Sequence, residues 1–276
     1  MIKLIASDMD GTLVADGSDK INESIYPLIK QLKEKHIYFV AASGRHFTSL
    51  IKLFEPVKDS IFFVSDNGAS IQTSSRLLFS YEIKKEVATN LIEHIRLLHK
   101  GPIVVSTPSY IYVENGSPKF LDLLTTGYRF DIKIVEDVTK IPNIIKISLY
   151  DEDRVNELIT PLSEKWGEQL KVTVAGKEWI DVMDRDVSKG AAIDLLQDAL
   201  DIKKSQTCVF GDQLNDIEML KQAEFSFAVE NAREETKQIA NYICKSYKDD
   251  GVIQVLKEIA TSGTVIYTDN YSKSRG

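Results

Sequence analysis

Two acidic residues stand just after a short apolar segment at the start of the chain. The segment Ile2–Ala6 predicts a buried strand, and Asp8 and Asp10 follow it before Gly11. Side chains two residues apart point the same way on a strand, so both carboxylates should enter one crevice. Like charges at this spacing need a cation, a shared proton or an electropositive ligand. A hard divalent ion such as Mg²⁺ meets that need, although an ordinary polar turn also favours Asp and Gly.

A hydroxyl, a glycine and a cation follow a second predicted strand, in the order Ser43, Gly44, Arg45. The main-chain N–H groups of such a turn, with the Ser hydroxyl, suit a tetrahedral oxyanion. Many turns between a strand and a helix contain Ser and Gly, so an ordinary turn is the alternative. Further along, Lys189 begins a predicted helix, where the partial positive charge disfavours a cation. A nearby anion would compensate; a lysine that reaches into solvent would need none.

Two more acids lie four residues apart near the end of the chain. Asp212 directly follows a predicted strand, and Asp216 would share its face of a helix that begins there. Both carboxylates could approach a cation, and Asn215 could donate to a phosphate oxygen. The alternative is that Asp serves here as a helix cap, which is a common use of this residue.

The elements between these residues predict how they are brought together. Strands and helices alternate over residues 1–65 and again after 185, which is typical of a doubly wound α/β fold with a mostly parallel sheet. Residues 84–184 instead predict short adjacent strands in an antiparallel sheet with helices on one face, a separate α+β domain. We therefore expect a discontinuous core of residues 1–83 and 185–276, interrupted by an inserted domain. Residues 264–276 predict a polar tail with at most one short strand, and nothing indicates a role for residues 262–276.

Composition narrows the classes of protein and partner. The 276 residues carry a net charge of −7, which disfavours nucleic acid as a partner because phosphate backbones demand a basic face. No apolar segment approaches the ~18 residues of a membrane span, and no basic leader precedes the first strand. We therefore expect a cytoplasmic protein that does not bind membranes. The two cysteines have no metal-ligand spacing, and nothing in the sequence indicates an oligomeric state.

Four sequence segments together resemble a known family. DMDGT, ASGR, SKG and GDQLND, in this order and spacing, closely resemble the four signatures of the haloacid dehalogenase superfamily of phosphatases. The segment after Asn67-Gly68-Ala69 is similar in layout to the C2B cap of the Cof-type subfamily (IIB). The resemblance runs to about residue 260 and implies a Rossmann-like α/β core with an inserted α+β cap.

The resemblance also implies a role for each matching residue. Asp8 is expected to attack phosphorus and become an aspartyl phosphate, and Asp10 to act as general acid and then as base. The expected cofactor is Mg²⁺, bound by the Asp8 side chain, the Asp10 main-chain carbonyl and Asp212, with Asp216 beside or behind these ligands. The groups expected to hold the phosphoryl oxygens are the main-chain amides of Met9 and Gly44 and the side chains of Ser43, Lys189 and Asn215.

Substrate recognition is expected to involve the cap. The candidate substrate-binding residues are Arg45, Asn67 and Asn231 in the core and Lys146 in the cap. Lys146 interrupts an apolar strand, and a solvent-facing lysine on an alternating strand is the alternative. His94 and His99 lie on a predicted helix without a catalytic partner, and we expect both at the surface.

The function implied by the resemblance is a Mg²⁺-dependent phosphatase that acts on a small phosphorylated metabolite. A sugar phosphate, or a cofactor phosphate such as a flavin or pyridoxal phosphate, fits this class. An alternative is a phosphomutase or phosphotransferase of the same superfamily, in which a hydroxyl group replaces water as the acceptor. A phospho-aspartate signalling protein or a catalytically quiet phosphate-binding regulator would belong to another class. A signalling receiver is shorter, lacks an inserted cap and carries its Asp on a middle strand.

Overall fold

A computed structural model gives the fold of the chain and describes residues 1–265 and Tyr271. Most of the predicted polar tail lies outside the described residues. The strands, in chain order, are β1 (Leu4–Asp8), β2 (Tyr38–Ala42), β3 (Ile61–Ser65), β4 (Ser70–Gln72), β5 (Leu77–Ser80), β6 (Ile103–Ser106), β7 (Ile111–Glu114), β8 (Ile132–Ile134), β9 (Lys146–Tyr150), β10 (Leu170–Ala175), β11 (Trp179–Asp184), β12 (Thr207–Gly211), β13 (Phe225–Val229) and β14 (Tyr242–Cys244).

The helices lie between these strands, except the last, which follows β14. In chain order they are α1 (Ile25–Glu34), α2 (Phe47–Leu53), α3 (Lys85–Leu98), α4 (Pro118–Asp122), α5 (Val155–Trp166), α6 (Lys189–Leu200), α7 (Ile217–Leu220), α8 (Glu234–Ile239) and α9 (Gly251–Ser262). No helix in the described part of the chain is both long enough and apolar enough to cross a bilayer.

The chain divides into two compact units. One consists of residues 1–45 and 50–78 together with the chain from Ser188 onwards, and the other of residues 46–49 and 79–187. The first contains both ends of the described chain, with the second inserted in its sequence. We keep residues 84–184 as the proposed extent of the inserted domain.

The first unit is built on an eight-stranded sheet with the order β14-β13-β12-β1-β2-β3-β4-β5. The strands from β14 to β3 pair in parallel, and β4 is antiparallel to β3. The doubly wound α/β fold predicted from the sequence is therefore confirmed. β1 lies between β2 and β12, where the strand order reverses, and such a switch point is where α/β sheets bind ligands.

The register of β1 determines which residues meet at this point. Asp8 pairs with Ala42 on β2, and Ser7 pairs with Phe210 on β12. The carboxyl ends of the three strands are therefore level, and the loops that follow them begin side by side. All five residues of β1 are buried, because helices cover both faces of a parallel sheet. Burial on both faces explains why consecutive residues of β1, Leu4 to Ala6, are all apolar.

The second unit contains a six-stranded sheet with the order β10-β11-β9-β6-β7-β8. Its strand pairs are antiparallel except for β7 and β8, which are parallel. β8 was not predicted, because three residues are too few to display a hydrophobic period. The prediction of helices on one face is also wrong. Ile103 and Val105 pack in the core of α3 and α5, whereas Val104, which points the other way, packs with Phe120 of α4.

His99 is buried, contrary to the expectation of a surface residue. It follows the last residue of α3, where the chain turns, and is 5% exposed. Its Nδ1 lies 3.4 Å from a carboxylate oxygen of Asp151. Burial lowers the pKa of His99; Asp151 opposes this effect, and Arg154 adds to it. His94 is only partly buried and accepts a 3.0 Å hydrogen bond from the indole N–H of Trp166.

The burial of His99 predicts a dependence of stability on pH. The pKa of His99 is lower in the folded state than in the unfolded state, so protonation of this side chain favours unfolding. The contribution of neutral His99 to stability is therefore lost as the pH falls below about 6.5. We expect the free energy of unfolding to fall more steeply between about pH 7 and pH 5 in the wild type than in His99→Gln. Urea denaturation at a series of pH values measures this difference.

The control for this experiment is His36→Asn, since His36 is exposed and Asn tolerates its φ of 57°. This variant should follow the pH dependence of the wild type. Equal slopes for the wild type and His99→Gln would contradict the prediction.

Candidate active site

Three carboxylates from distant parts of the sequence meet at the end of β1. Asp8 is the last residue of β1, Asp212 directly follows β12, and Asp216 ends the short 3₁₀ turn Leu214–Asp216. One oxygen atom of each lies within 4.8 Å of the others, which among the described residues is a group suited to a metal ion. All three side chains are buried. Asp8 of the first predicted motif and the two acids of the last therefore share one site.

Lys189 lies between two of these acids. It is the first residue of α6, and Ser188 caps that helix through a 3.0 Å hydrogen bond from the Ala191 N–H to the Ser hydroxyl. The ammonium group donates to Asp8 Oδ1 and, at 2.7 Å, to Asp216 Oδ1. Lys189 is 1% exposed, which excludes the alternative of a lysine that reaches into solvent. Anions compensate its position at the helix start.

The electrostatics of this cluster favour a further positive charge. Burial raises the pKa of Asp8 well above its usual range, with a further contribution from the Asp216 carboxylate, and burial also raises the pKa of Asp212. Burial alone would lower the pKa of Lys189, but Asp216 and Asp8 reverse the direction and the pKa rises. One ammonium group cannot neutralise three carboxylates, and the remaining charge matches a divalent cation.

Donors fix the orientation of the two later acids. The Thr12 hydroxyl donates to Asp212 Oδ1 at 2.7 Å, and Gln213 Nε2 donates to Asp212 Oδ2 at 3.1 Å. The main-chain N–H groups of Asp212 and Gln213 donate to Asp216 Oδ2 at 2.9 and 3.0 Å. These two hydrogen bonds to Asp216 close the segment from Asp212 to Asp216 into a tight turn, so the predicted helix begins as a 3₁₀ turn. Thr12 and Gln213 lie inside the motifs, but the sequence analysis did not predict a function for them. The only indication in the sequence is that each lies within two residues of an acid.

Asp10 lies next to this cluster but directs its carboxylate elsewhere. Its Oδ1 accepts a 2.9 Å hydrogen bond from the Gly17 N–H, and Arg45 donates to both of its oxygens, through Nε at 2.8 Å and through Nη2. Arg45 also donates to the Ser18 carbonyl oxygen at 2.8 Å. The ligand role expected for Asp10 is that of its main-chain carbonyl, and this stays a prediction.

Gly11 allows the chain to turn directly after Asp8 and Asp10. Its φ is +82°, and an added Cβ would lie 2.4 Å from Asp212 Oδ2. A side chain at this position would therefore be strained and would displace a carboxylate of the cluster.

The predicted phosphate-holding residues of the first two motifs lie on adjacent loops. Met9 follows Asp8 and is buried. Ser43 directly follows β2, is buried, and accepts a 3.1 Å hydrogen bond from the Arg45 N–H through its hydroxyl. Gly44 is exposed beside it. Because β1 and β2 end level, the loops that carry these groups begin side by side; their phosphate-holding roles stay predictions.

The remaining candidates occupy different positions. Asn215 donates to Asn67 Oδ1 at 2.9 Å, so these two predicted residues are in contact. Asn231 donates to the Gly11 carbonyl at 2.7 Å and accepts from the Tyr247 N–H at 3.3 Å. It therefore connects the loop after β1 with the segment after β14. Lys146 lies on β9 in the second unit and is half-buried. The substrate roles of Arg45, Asn67, Asn231 and Lys146 stay predictions.

The buried ion cluster predicts the effect of removing its cation. In buffer without divalent ions, Lys189→Met should lower the free energy of unfolding by about 3–5 kcal/mol, because buried carboxylates lose their partner. Urea denaturation measures the change. As a control, Lys58→Met removes a surface ion pair with Glu55 and should have little effect. A Lys189→Met protein as stable as the wild type would contradict this description of the cluster.

The sequence as a whole matches one family of enzymes. The family of haloacid dehalogenase-like hydrolases matches residues 5–256. The chain is 30% identical over 261 residues to the 5-amino-6-(5-phospho-D-ribitylamino)uracil phosphatase YbjI of Escherichia coli, covering 94% of this chain and 96% of that one. It is 27% identical over 237 residues to the HMP-PP phosphatase of Cronobacter sakazakii, covering 84% and 85%.

Solved structures share the complete fold. A crystal structure of a protein from Eubacterium rectale has a TM-score of 0.88 and 38% sequence identity, and covers 94% of this chain and 99% of that one. These findings confirm the α/β fold class and the enzyme class, a hydrolase of the phosphatase type, that the motifs predicted. The chain belongs to the haloacid dehalogenase-like hydrolase family.

Proposed function

We propose that the protein is a Mg²⁺-dependent phosphatase that hydrolyses a small phosphorylated metabolite through an aspartyl phosphate on Asp8. The observation that carries the proposal is the meeting of Asp8, Asp212 and Asp216 around Lys189. The cluster combines a nucleophilic carboxylate, acids for a metal ion and a cation for phosphate. Phosphoryl transfer depends mainly on positioning and charge neutralisation.

The first step takes place at Asp8. One of its carboxylate oxygens attacks phosphorus, a bond forms between this oxygen and phosphorus, and the bond from phosphorus to the ester oxygen breaks. Asp10 then gives a proton to the departing oxygen. Its position in the loop that directly follows β1, two residues beyond Asp8, supports this role.

The second step releases phosphate. A water molecule attacks the phosphorus of the aspartyl phosphate, Asp10 takes a proton from this water, and the bond to Asp8 breaks. Inorganic phosphate leaves, and both acids return to their starting states. An acid at position 10 can activate water, which favours rapid hydrolysis of the aspartyl phosphate.

The phosphoryl oxygens need donors around Asp8. Lys189 supplies an ammonium group already held 2.7 Å from Asp216. The Ser43 hydroxyl, the main-chain amides of Met9 and Gly44, and the Asn215 amide complete the proposed set. Donors that are fixed before the reaction stabilise developing charge at no reorganisation cost.

Mg²⁺ fits the acidic cluster. Its proposed ligands are the side chains of Asp8 and Asp212 and the main-chain carbonyl of Asp10, with Asp216 close by. Oxygen ligands and excess negative charge are what this ion prefers. When bound, it would supply positive charge that offsets the repulsion between the Asp8 carboxylate and the phosphoryl group and the charge of the transition state.

The relatives support a proposal for the substrate class. The enzyme named for 5-amino-6-(5-phospho-D-ribitylamino)uracil is the more similar of the two described above and matches nearly the full length of both chains. We propose a phosphate ester of this kind, a polyol or sugar phosphate attached to a heterocycle, as the first class to test. The candidate contacts for the leaving group are Arg45, Asn67, Asn231 and Lys146.

The nucleophile assignment predicts a result for a panel of phosphate esters. With Mg²⁺, the wild type should release inorganic phosphate from at least one cofactor-precursor or sugar phosphate. Asp8→Asn should lower kcat on the order of 10⁴-fold or more, because the amide cannot form the covalent intermediate. Phosphate release by the malachite-green assay measures both. Full activity of a correctly folded Asp8→Asn protein would contradict the mechanism.

The metal assignment predicts which acid controls the requirement for Mg²⁺. Chelation by EDTA should abolish turnover, and added Mg²⁺ should restore it. Asp212→Asn should raise the Mg²⁺ concentration for half-maximal activity by at least about tenfold, whereas Asp194→Asn, an exposed acid on α6, should not change it. Activity that persists in EDTA, or an unchanged requirement in Asp212→Asn, would refute the assignment.

A further inference from the structure

The short turn Asp66–Gly68, directly after β3, has an unusual backbone. Its three residues have φ values of 49°, 59° and 103°. Residues with side chains rarely adopt positive φ, and Asp and Asn are the types that tolerate it best. Three positive φ values in succession, two of them at residues with side chains, persist only where the surrounding structure holds the backbone in place. The contacts of this turn therefore indicate what it holds.

The turn first holds the loop that carries Ser43. The Asn67 N–H donates to the Ser43 carbonyl at 2.9 Å, and the Asp66 N–H donates to the Arg45 carbonyl at 3.0 Å. Two main-chain bonds thus fix this three-residue loop at both ends. An added Cβ at Gly44 would lie 3.2 Å from Asn67 Oδ1, so the two segments are in close contact.

The turn also lies against the start of α6. An added Cβ at Gly68 would lie 2.1 Å from the Ser188 carbonyl oxygen and 3.0 Å from the Lys189 nitrogen. These are main-chain atoms, so a side chain at Gly68 would push the helix start itself. Lys189 is the residue whose ammonium group joins Asp8 to Asp216. Its position therefore depends on the absence of a side chain at Gly68.

The third contact reaches the last motif. The Asn67 side-chain oxygen accepts the 2.9 Å hydrogen bond from Asn215 Nδ2. This bond uses one N–H of the Asn215 amide, and it determines the direction in which the other N–H points. Asn67 thus bonds to the Ser43 loop with its main chain and to Asn215 with its side chain.

We infer that the Asp66–Gly68 turn is a positioning element that sets three proposed phosphate-holding groups, Ser43, Lys189 and Asn215, relative to one another. Gly68 and Asn67 are its positioning residues, and neither needs to touch phosphorus to affect the reaction. This inference rests on the proposed function. It assigns the turn a task in that same site, because the turn contacts all three loops.

Gly68→Ala tests the packing against α6, with Gly176→Ala as its matched control. Both glycines have positive φ, +103° and +76°, but nothing lies within 4 Å of a Cβ added at Gly176. The control therefore isolates backbone strain from displacement. With 4-nitrophenyl phosphate and Mg²⁺, Gly68→Ala should lower kcat/KM by on the order of 10²-fold, as expected for a shift of about 1 Å. Gly176→Ala should stay within about twofold of the wild type.

A second readout does not depend on turnover. Calorimetric titration with inorganic phosphate in the presence of Mg²⁺ should show weaker binding to Gly68→Ala than to Gly176→Ala, because the ammonium group of Lys189 is displaced. A purely structural role would lower the thermal midpoint of both variants without this difference. Equal phosphate affinity and equal kcat/KM in the two variants would overturn the inference.

Asn67→Gly provides a variant that should fold even if Gly68→Ala does not. Glycine adopts the φ of 59° without strain, so only the amide is lost. We expect phosphate affinity and kcat/KM to fall about two- to tenfold, the value of one hydrogen bond. The control is Asn115→Gly, at an exposed residue with φ 57°, which should match the wild type.

These outcomes separate the inference from the proposed function. A wild type that binds phosphate but hydrolyses no ester would overturn the proposed function. The affinities of the variants would still decide the positioning role. An active wild type whose Asn67→Gly variant behaves like Asn115→Gly would overturn the positioning role and leave the proposed function intact.

Discussion

The structure depends on one electrostatic constraint: three carboxylates are buried together at the end of β1 with a single ammonium group. Asp8, Asp212 and Asp216 come from opposite ends of the sequence, and each would be costly to bury as an ion without partners. Lys189 and the donors around the two later acids reduce that cost. A divalent cation would remove the rest of the imbalance, and its binding would link folding of this site to the chemistry proposed for it.

The backbone meets this constraint at places where a side chain cannot fit. Gly11 brings the first loop against Asp212, and Gly68 lets the turn after β3 lie against the start of α6. Both have positive φ. The Gly11 backbone lies against a carboxylate, and the Gly68 backbone lies against the main chain at the start of α6, while the parallel strands behind them supply a rigid base. A site on the ends of buried strands is held more precisely than one on free loops.

The sequence predicted the core and the meeting of Asp8 with Asp212 because both follow from local patterns. Alternating strands and helices indicate a parallel sheet, and residues that follow its strands lie at one edge, so these two acids are expected to lie close together. The sequence did not predict contacts that depend on tertiary packing. The pairing of Asp10 with Arg45, the burial of His99 and the use of both faces of the second sheet depend on neighbours distant in sequence. β8 is too short to produce a pattern of its own.

The central claim, that acids near both ends of the chain bind one divalent ion beside Asp8, is tested most directly by diffraction. Crystals grown with Mn²⁺ in place of Mg²⁺ give an anomalous signal at the ion. The account predicts one strong anomalous peak within coordinating distance of both Asp8 and Asp212, about 2.0–2.2 Å from their oxygens. A protein saturated with Mn²⁺ that shows its peak elsewhere, with these two carboxylates unliganded, would contradict it.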